Sequence, residues 1–263
     1  MHVETHGRGD RDAPVLILSS GLGGSGAYWA AQLPALTPHF RVITYDHRGT
    51  GRTGGTVPEN GGIGAMADDV LDIADRLGVR HFSLMGHALG GLIGLDLALR
   101  APDRLDRLVL INAWSKADPH SGRCFDVRLE LLEKSGIPMF VKAQPLFLYP
   151  AIWMAENADR LEAEEAHAIA HFQGADNIRR RIAALRGFDI DAKLGAIPHP
   201  CLVIATKDDL LVPYSRSLRL ADGLPNAQLH LTDFGGHAVN IVDPDGFNAA
   251  VLGFLRVSDH GSS

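Results

Sequence analysis

The sequence predicts an α/β fold: a mainly parallel central sheet with helices on both faces and a long helical insertion. Two observations carry this. Short apolar runs alternate with amphipathic stretches from Val15 to Ala113, and the same rhythm returns from Cys201 to Leu255. Between Lys116 and Leu194 no convincing strand occurs and only helical spacing remains.

The first buried strands are read at Val15–Ser20 (VLILSS), Arg41–Asp46 (RVITYD), Phe82–His87 (FSLMGH) and Arg107–Ala113 (RLVLINA). Tyr28–Leu36, Ile63–Leu77 and Gly90–Leu99, lying between them, have helical periodicity. Inside the insertion, Phe125–Lys134, Ala163–Phe172 and Asn177–Arg186 are also helical in spacing. The strand rhythm resumes with Cys201–Thr206 (CLVIAT), a helix over Tyr214–Ala221, a strand at Gln228–Thr232 and a last helix from about Asp243 to Leu255. The expected organisation is a core of residues 1–115 and 195–257, a helical lid of residues 116–194 over one end of the sheet, and a disordered tail at 258–263.

A length of 263 residues suits one large α/β domain or two small ones. At 46% hydrophobic residues the chain has material for a sizeable core. The net charge of -6 supplies no basic footprint, which argues against nucleic acid and anionic membrane as partners. No apolar run reaches the roughly 18 residues of a membrane span, and the polar start Met1–Gly7 is unlike a signal peptide. Cys124 and Cys201 are the two cysteines, far apart and outside metal-type spacing, so a reduced cytoplasmic setting is the simplest reading.

The chemistry is concentrated in three places. Gly86-His87-Ala88-Leu89-Gly90 follows a strand directly and opens a helix, and its glycines permit a sharp strand-to-helix reversal. Such an elbow lifts its middle residue to the carboxyl end of the sheet, where a working esterase has serine and this chain has Ala88. After CLVIAT comes Lys207-Asp208-Asp209-Leu210-Leu211-Val212-Pro213, an acid at a strand's carboxyl end. Gly235-Gly236-His237 follows the last strand. Elbow, acid and histidine in this order are the chain order of α/β-hydrolases. Asp209 is the expected orienter of His237, with Asp208 as the competing acid.

Ser20-Gly21-Leu22-Gly23-Gly24-Ser25-Gly26 has two readings. Gly21-x-Gly23-x-x-Gly26 between a strand and a helix, with Asp46 some 20 residues on, matches a dinucleotide-binding fingerprint. The other reading is an oxyanion loop, in which the Leu22 N–H and the Leu89 N–H face a developing negative charge. The glycine turn Asp46–Gly51 and the late Asp209 and His237 favour the second, and no cofactor is expected. His167 and His171 stand four apart on a predicted lid helix, but no third ligand is evident and no metal site is expected. Trp114, Phe147 and Tyr149 are candidates for a pocket wall in or beside the lid, where most aromatics serve packing.

These residues place the chain in the α/β-hydrolase superfamily. Gly21–Trp29, Gly86–Gly90, Ala143–Trp153, Leu161–Gly174 and Asp208–Pro213 resemble the RutD proteins, over nearly the whole chain and lid included. The resemblance implies a hydrolase of the Rut pathway of uracil degradation, acting on carbamate or on aminoacrylate, two small intermediates that also decay unaided. It also implies that alanine at the elbow occurs in the family, so Ala88 needs no engineering to explain it. Without a hydroxyl at 88 no acyl-enzyme forms there, leaving His237 to move a proton for water or for a leaving amine. The expected partners are a small-molecule substrate and, at most, a second copy of the chain in a homodimer. Two alternatives remain open: a small-ligand binding protein on a hydrolase scaffold, and a serine-to-alanine form of a serine hydrolase.

Overall fold

A computed structural model describes Met1–Arg256; the tail expected at 258–263 lies outside the described residues. Seven strands form one sheet: β1 (Val3–Gly7), β2 (Val15–Ser19), β3 (Arg41–Tyr45), β4 (Phe82–His87), β5 (Leu105–Ile111), β6 (Cys201–Thr206) and β7 (Ala227–Thr232). Their order is β1-β3-β2-β4-β5-β6-β7. β1 pairs antiparallel with β3, Val3 opposite Tyr45, and every other pairing is parallel.

The helices before β5 are α1 (Leu33–Leu36), α2 (Gly62–Arg76) and α3 (Leu89–Arg100). Between β5 and β6 come α4 (Pro119–Glu130), α5 (Gly136–Leu148), α6 (Ala151–Glu156), α7 (Ala158–Ala170) and α8 (Ala175–Gly187). After β6 follow α9 (Ser215–Gly223), α10 (Val239–Val242) and α11 (Pro244–Leu255). None of the described helices is long and apolar enough to cross a membrane.

The pleat sorts each strand onto two cores. Ile17, Ile43, Leu84, Leu108, Leu110 and Val203 join one apolar cluster with α2, α3 and the insertion helices. Their neighbours Leu16, Leu18, Val42, Met85, Val109, Ile111 and Ile204 join the other, with Trp29, Leu36 and the Phe247, Val251 and Phe254 face of α11. Continuous apolar runs are what a sheet covered on both faces requires.

Three local features depart from the reading of the sequence. The helix expected over Tyr28–Leu36 is a 3-10 turn, Gly26–Trp29, followed by the short α1. Pro34 has no N–H for a continuous helix to use. β1 has no apolar signature, because its Val-Glu-Thr-His-Gly is polar and lies at the sheet edge. α5 is masked in the sequence by its own composition, since it begins at Gly136 and carries Pro145 in its interior.

The insertion leaves and returns through a narrow neck. Lys116 and Asp189 form an antiparallel bridge and an ion pair at 2.7 Å. Beside them the Ile190 N–H donates to the Ser115 carbonyl at 2.9 Å, and Ser115 Oγ donates to Asp191 Oδ1 at 2.6 Å. α4 starts where Asp118 caps the Ser121 N–H at 2.8 Å and Pro119 occupies the first turn.

From β2 the chain crosses outward to β3, then passes back over β2 to β4 and continues the other way. The direction of winding therefore reverses at the carboxyl ends of β2 and β4, and open α/β sheets bind ligands at such a point. There, α3 packs its first turn so closely on β2 that a β-carbon at Gly90 would overlap the Ser19 carbonyl. Gly90→Ala is expected to destabilise the protein by about 3 kcal/mol or more, because the obstacle is backbone and cannot rotate away. Urea unfolding checks this, and a loss under about 1 kcal/mol would mean the two elements are not locked together.

Candidate active site

Ala88 joins β4 to α3 with φ 46° and ψ -104°, a conformation that costs a non-glycine residue of order 1–3 kcal/mol. It is held there from both sides: its N–H donates to the Ile111 carbonyl at 2.8 Å, and its carbonyl accepts from the Leu92 N–H at 3.1 Å. The elbow geometry is present although the nucleophile is not. The next N–H, that of Leu89, opens α3, and the N–H of Leu22 lies in the loop after β2. Neither has an acceptor within the described residues. Both are donors at the winding reversal, and the N-terminal end of α3 adds its partial positive charge.

His237 Nδ1 and Asp209 Oδ2 are 2.8 Å apart, with side chains only 3% and 1% exposed. His237 Nε2 makes no hydrogen bond among the described residues. Asp209 Oδ1 accepts from the Leu211 and Val212 N–H groups at 2.8 and 2.9 Å, so its carboxylate is fixed as well as paired. Asp208 accepts instead from the Gly235 and Gly236 N–H groups, at 3.2 and 2.9 Å, and so anchors the histidine loop. That loop is tied down elsewhere too. Thr206 Oγ1 donates to the Gly236 carbonyl at 2.7 Å, and the Ala238 N–H donates to Leu148 at the end of α5. The His237 carbonyl accepts twice, from His87 Nε2 at 2.8 Å and from Asn112 Nδ2 at 2.7 Å. Gly236 sits at φ 62° with Leu148 oxygen 2.8 Å from where a β-carbon would stand, so this turn needs glycine.

The fingerprint reading of the first loop fails at Asp46. Its Oδ1 accepts from the Gly26 N–H and its Oδ2 from the Arg52 N–H, each at 2.9 Å, and the residue is buried. The carboxylate folds two loops together and is not presented to a ribose. The same loops meet the insertion through a buried polar network. Arg181 of α8 donates to the carbonyls of Leu22 at 3.2 Å and Arg48 at 2.7 Å, to Thr50 Oγ1 at 2.6 Å, and to Gln173 Oε1. One turn earlier, the Asn177 amide bonds Gly49, Gly55 and Val57. The loop that carries Leu22 is thereby tied to the helical insertion.

Among the predicted wall residues, Trp114 is buried in the apolar cluster that contains Ala88 and Leu89, and Phe147 packs against that cluster. Tyr149 stacks on Trp153 at 4.4 Å and lines an open groove with Leu146, Met154 and Asp208. His167 and His171 stack at 4.2 Å, and His171 Nδ1 is bonded to the His167 carbonyl at 3.0 Å. No group of three potential ligands occurs among the described residues. Sequence reasoning missed His87, Asn112, Arg128 and Arg181. For the two arginines a signal existed: Arg181 shares a helix face with Ile178, Ile182 and Leu185, and Arg128 with Cys124 and Leu132.

A model of the alpha/beta hydrolase fold matches residues 14–134. A relative from Agrobacterium fabrum, named as a candidate carbamate hydrolase RutD, is 69% identical over 259 residues, covering 98% of this chain and 99% of its own. The chain belongs to the RutD family. A second RutD relative, from Rhizobium rhizogenes, is 67% identical and covers 97% of this chain and 98% of its own. The solved structure of the enol-lactonase from Burkholderia xenovorans is similar with a TM-score of 0.87 at 27% identity, covering 97% of this chain and 95% of that one. Like its family, the chain is a hydrolase of the α/β-hydrolase fold.

Two histidines in this RutD-family site are held neutral. Burial, aided by the charge of Arg181, pushes His47 down to about 3, and burial with His237 nearby does the same to His87. Folded values this far below the ordinary 6.5 mean that the unfolded chain takes up protons first as pH falls. Their contribution to stability is complete above about pH 6.5 and is lost progressively as pH falls toward 3. Urea unfolding from pH 7 downward is expected to show this slope, reduced when His47 is replaced by Gln. An unchanged slope in that variant would show that His47 does not carry its share.

Proposed function

We propose that this chain hydrolyses carbamate, with His237 moving the proton and no covalent enzyme intermediate. The observation that carries this is the buried Asp209–His237 pair, its Nε2 unbonded among the described residues, joined through the bond from His87 to the His237 carbonyl to an elbow without a nucleophile. The names of the RutD relatives point to the same substrate. A binding protein has no need of an acid-oriented histidine.

In this reading Asp209 accepts the Nδ1–H of neutral His237, which leaves Nε2 as the base. Nε2 takes a proton from water as the water oxygen bonds to the carbamate carbon. The developing oxyanion faces the Leu22 and Leu89 N–H groups. The same proton then passes from Nε2 to nitrogen as the C–N bond breaks, giving ammonia and bicarbonate. Positioned proton transfer contributes about 10²–10⁴-fold, and one oxyanion donor about 3 kcal/mol, and these effects are not additive. That is modest for an amide hydrolase. It is sufficient for a substrate that already decomposes readily.

His237→Ala and Asp209→Ala are each expected to remove most of the enzymatic acceleration, about 10²-fold or more, after the uncatalysed rate is subtracted. Asp208→Ala should cost less, through a loosened histidine loop. If all three variants match the parent, the pair is not catalytic and the binding-protein reading takes over.

Position 88 gives an independent test. Because Ala88 already has the elbow backbone, Ala88→Ser should place Oγ within reach of His237 and label once per chain with a small fluorophosphonate. The parent should not label, and neither should the Ala88→Ser, His237→Ala double variant, since an unassisted hydroxyl is a poor nucleophile. A folded Ala88→Ser protein that resists even short-chain probes would mean His237 does not face position 88.

A further inference from the structure

Two buried arginines project from the insertion, and they differ in one respect. Arg181 also has an unpaired Nε, but both its Nη atoms are occupied, by the Leu22 and Arg48 carbonyls, the Thr50 hydroxyl and Gln173. Arg128, on α4, is 5% exposed, forms no ion pair among the described residues, and donates only through Nη2, to Gln144 Oε1. Its Nε is buried without a partner. Gln144 is itself held by a bond from its Nε2 to the Phe140 carbonyl at 2.6 Å, which fixes the face it turns toward the guanidinium. The rings of Phe125, Phe140 and Phe147 lie 5.6–6.0 Å from the Arg128 guanidinium carbon. Burial lowers this group only to about 10, so it stays charged at neutral pH.

Its neighbours tie it to the site. The face of α4 that carries Arg128 begins with His120 and Ser121, which bond the Leu210 and Leu211 carbonyls at 2.6 and 3.0 Å, directly after Asp209. Cys124, one turn on, contacts the Leu210 carbonyl at 3.7 Å, and Arg128 is the next turn along. From the other side, α5 ends on Leu148, whose carbonyl receives the Ala238 N–H beside His237. Phe125 and Phe140 belong to the apolar cluster that contains Ala88 and Leu89, with Phe147 and Leu22 packed against it.

We infer that Arg128 is the anion-binding residue of this site, supplied by the lid, and that its ligands are small planar carboxylates. A buried cation without a counter-charge is costly, and most of its donors remain free. Guanidinium presents a fork that matches a carboxylate with two parallel hydrogen bonds, and the ring-lined surroundings strengthen them. The inference rests on the proposed hydrolase reading only for where the reacting bond lies. Carbamate carries the group that Arg128 would take, whereas a neutral ester or amide of the same size does not.

Formate and formamide test it, since they share a shape and differ in charge. Binding of each, followed by NMR line broadening of the labelled compound, is compared in the parent, Arg128→Met and Arg128→Lys. The parent should bind formate at least about tenfold more tightly than formamide, as a charge-assisted pair predicts. Arg128→Met should lose that preference and keep its weak affinity for formamide, while remaining as stable to urea as the parent, because it removes an unpaired buried charge. Arg128→Lys keeps the charge without the fork and should be intermediate, and it serves as the test if the Met variant does not fold. Equal formate binding in parent and variants, or no preference for formate in the parent, overturns the inference and leaves Arg128 a packing residue. Arg128-dependent formate binding without carbamate turnover would sustain the anion site and defeat the hydrolase reading. Turnover with formate binding indifferent to Arg128 would do the reverse.

Discussion

The reversal at Ala88 is the constraint on which the site depends. β4 ends and α3 begins within a single residue, and the close approach of Gly90 to Ser19 leaves no slack between them. Ala88 is held in its strained conformation by the Ile111 carbonyl and the Leu92 N–H, both backbone groups. Loss of a hydroxyl at this position therefore leaves the backbone shape unchanged. That shape leaves the Leu89 N–H without an acceptor among the described residues and puts His87, the residue before the turn, where it supports the His237 carbonyl. Asn112 repeats the device after β5, also at φ 46°, and bonds the same carbonyl. Two strained residues at neighbouring strand ends thus position one histidine.

The helical insertion is joined to the sheet and its loops through buried polar contacts as well as apolar ones. Arg181 and Asn177 bond the backbone of the loops after β2 and β3, so displacing the lid would strand carbonyls and a guanidinium together. This makes the Leu22 loop a shared property of sheet and lid. An oxyanion donor is useful only if it is already oriented when charge develops, and a glycine-rich loop on its own would not be. In the proposed mechanism, where the Leu22 N–H faces the oxyanion, these bonds from the insertion would supply that rigidity.

Much of this was legible in the sequence, and what escaped has physical reasons. Parallel strands buried on both faces leave continuous apolar runs, so β2 to β6 could be read directly, while the polar edge strand β1 could not. Elbow, acid and histidine were visible because each is bound to a strand end by short-range geometry. The choice between Asp208 and Asp209 depended on spacing, and the structure gives the two adjacent carboxylates separate roles. Asp46 looked like a ribose partner because a fingerprint records only spacing, whereas its carboxylate is filled by Gly26 and Arg52. The buried arginines follow no motif. Only their place on the apolar face of a helix sets them apart from the solvent-facing arginines of the same segments.

The chemistry proposed here follows from what an alanine elbow retains. A serine would divide hydrolysis into two displacements, which helps when water is too weak a nucleophile for the bond concerned. Carbamate poses a different problem: its negative charge resists attack of water at carbon, and after that attack its C–N bond breaks only as nitrogen takes up a proton. What such a substrate requires is a proton delivered at the right place and a counter-charge at its oxygens. In the proposed mechanism an oriented histidine, two backbone N–H donors and the guanidinium of Arg128 would meet those requirements without a nucleophile. In the proposed mechanism a hydroxyl at position 88 would compete with water for His237 Nε2, and the methyl of Ala88 does not.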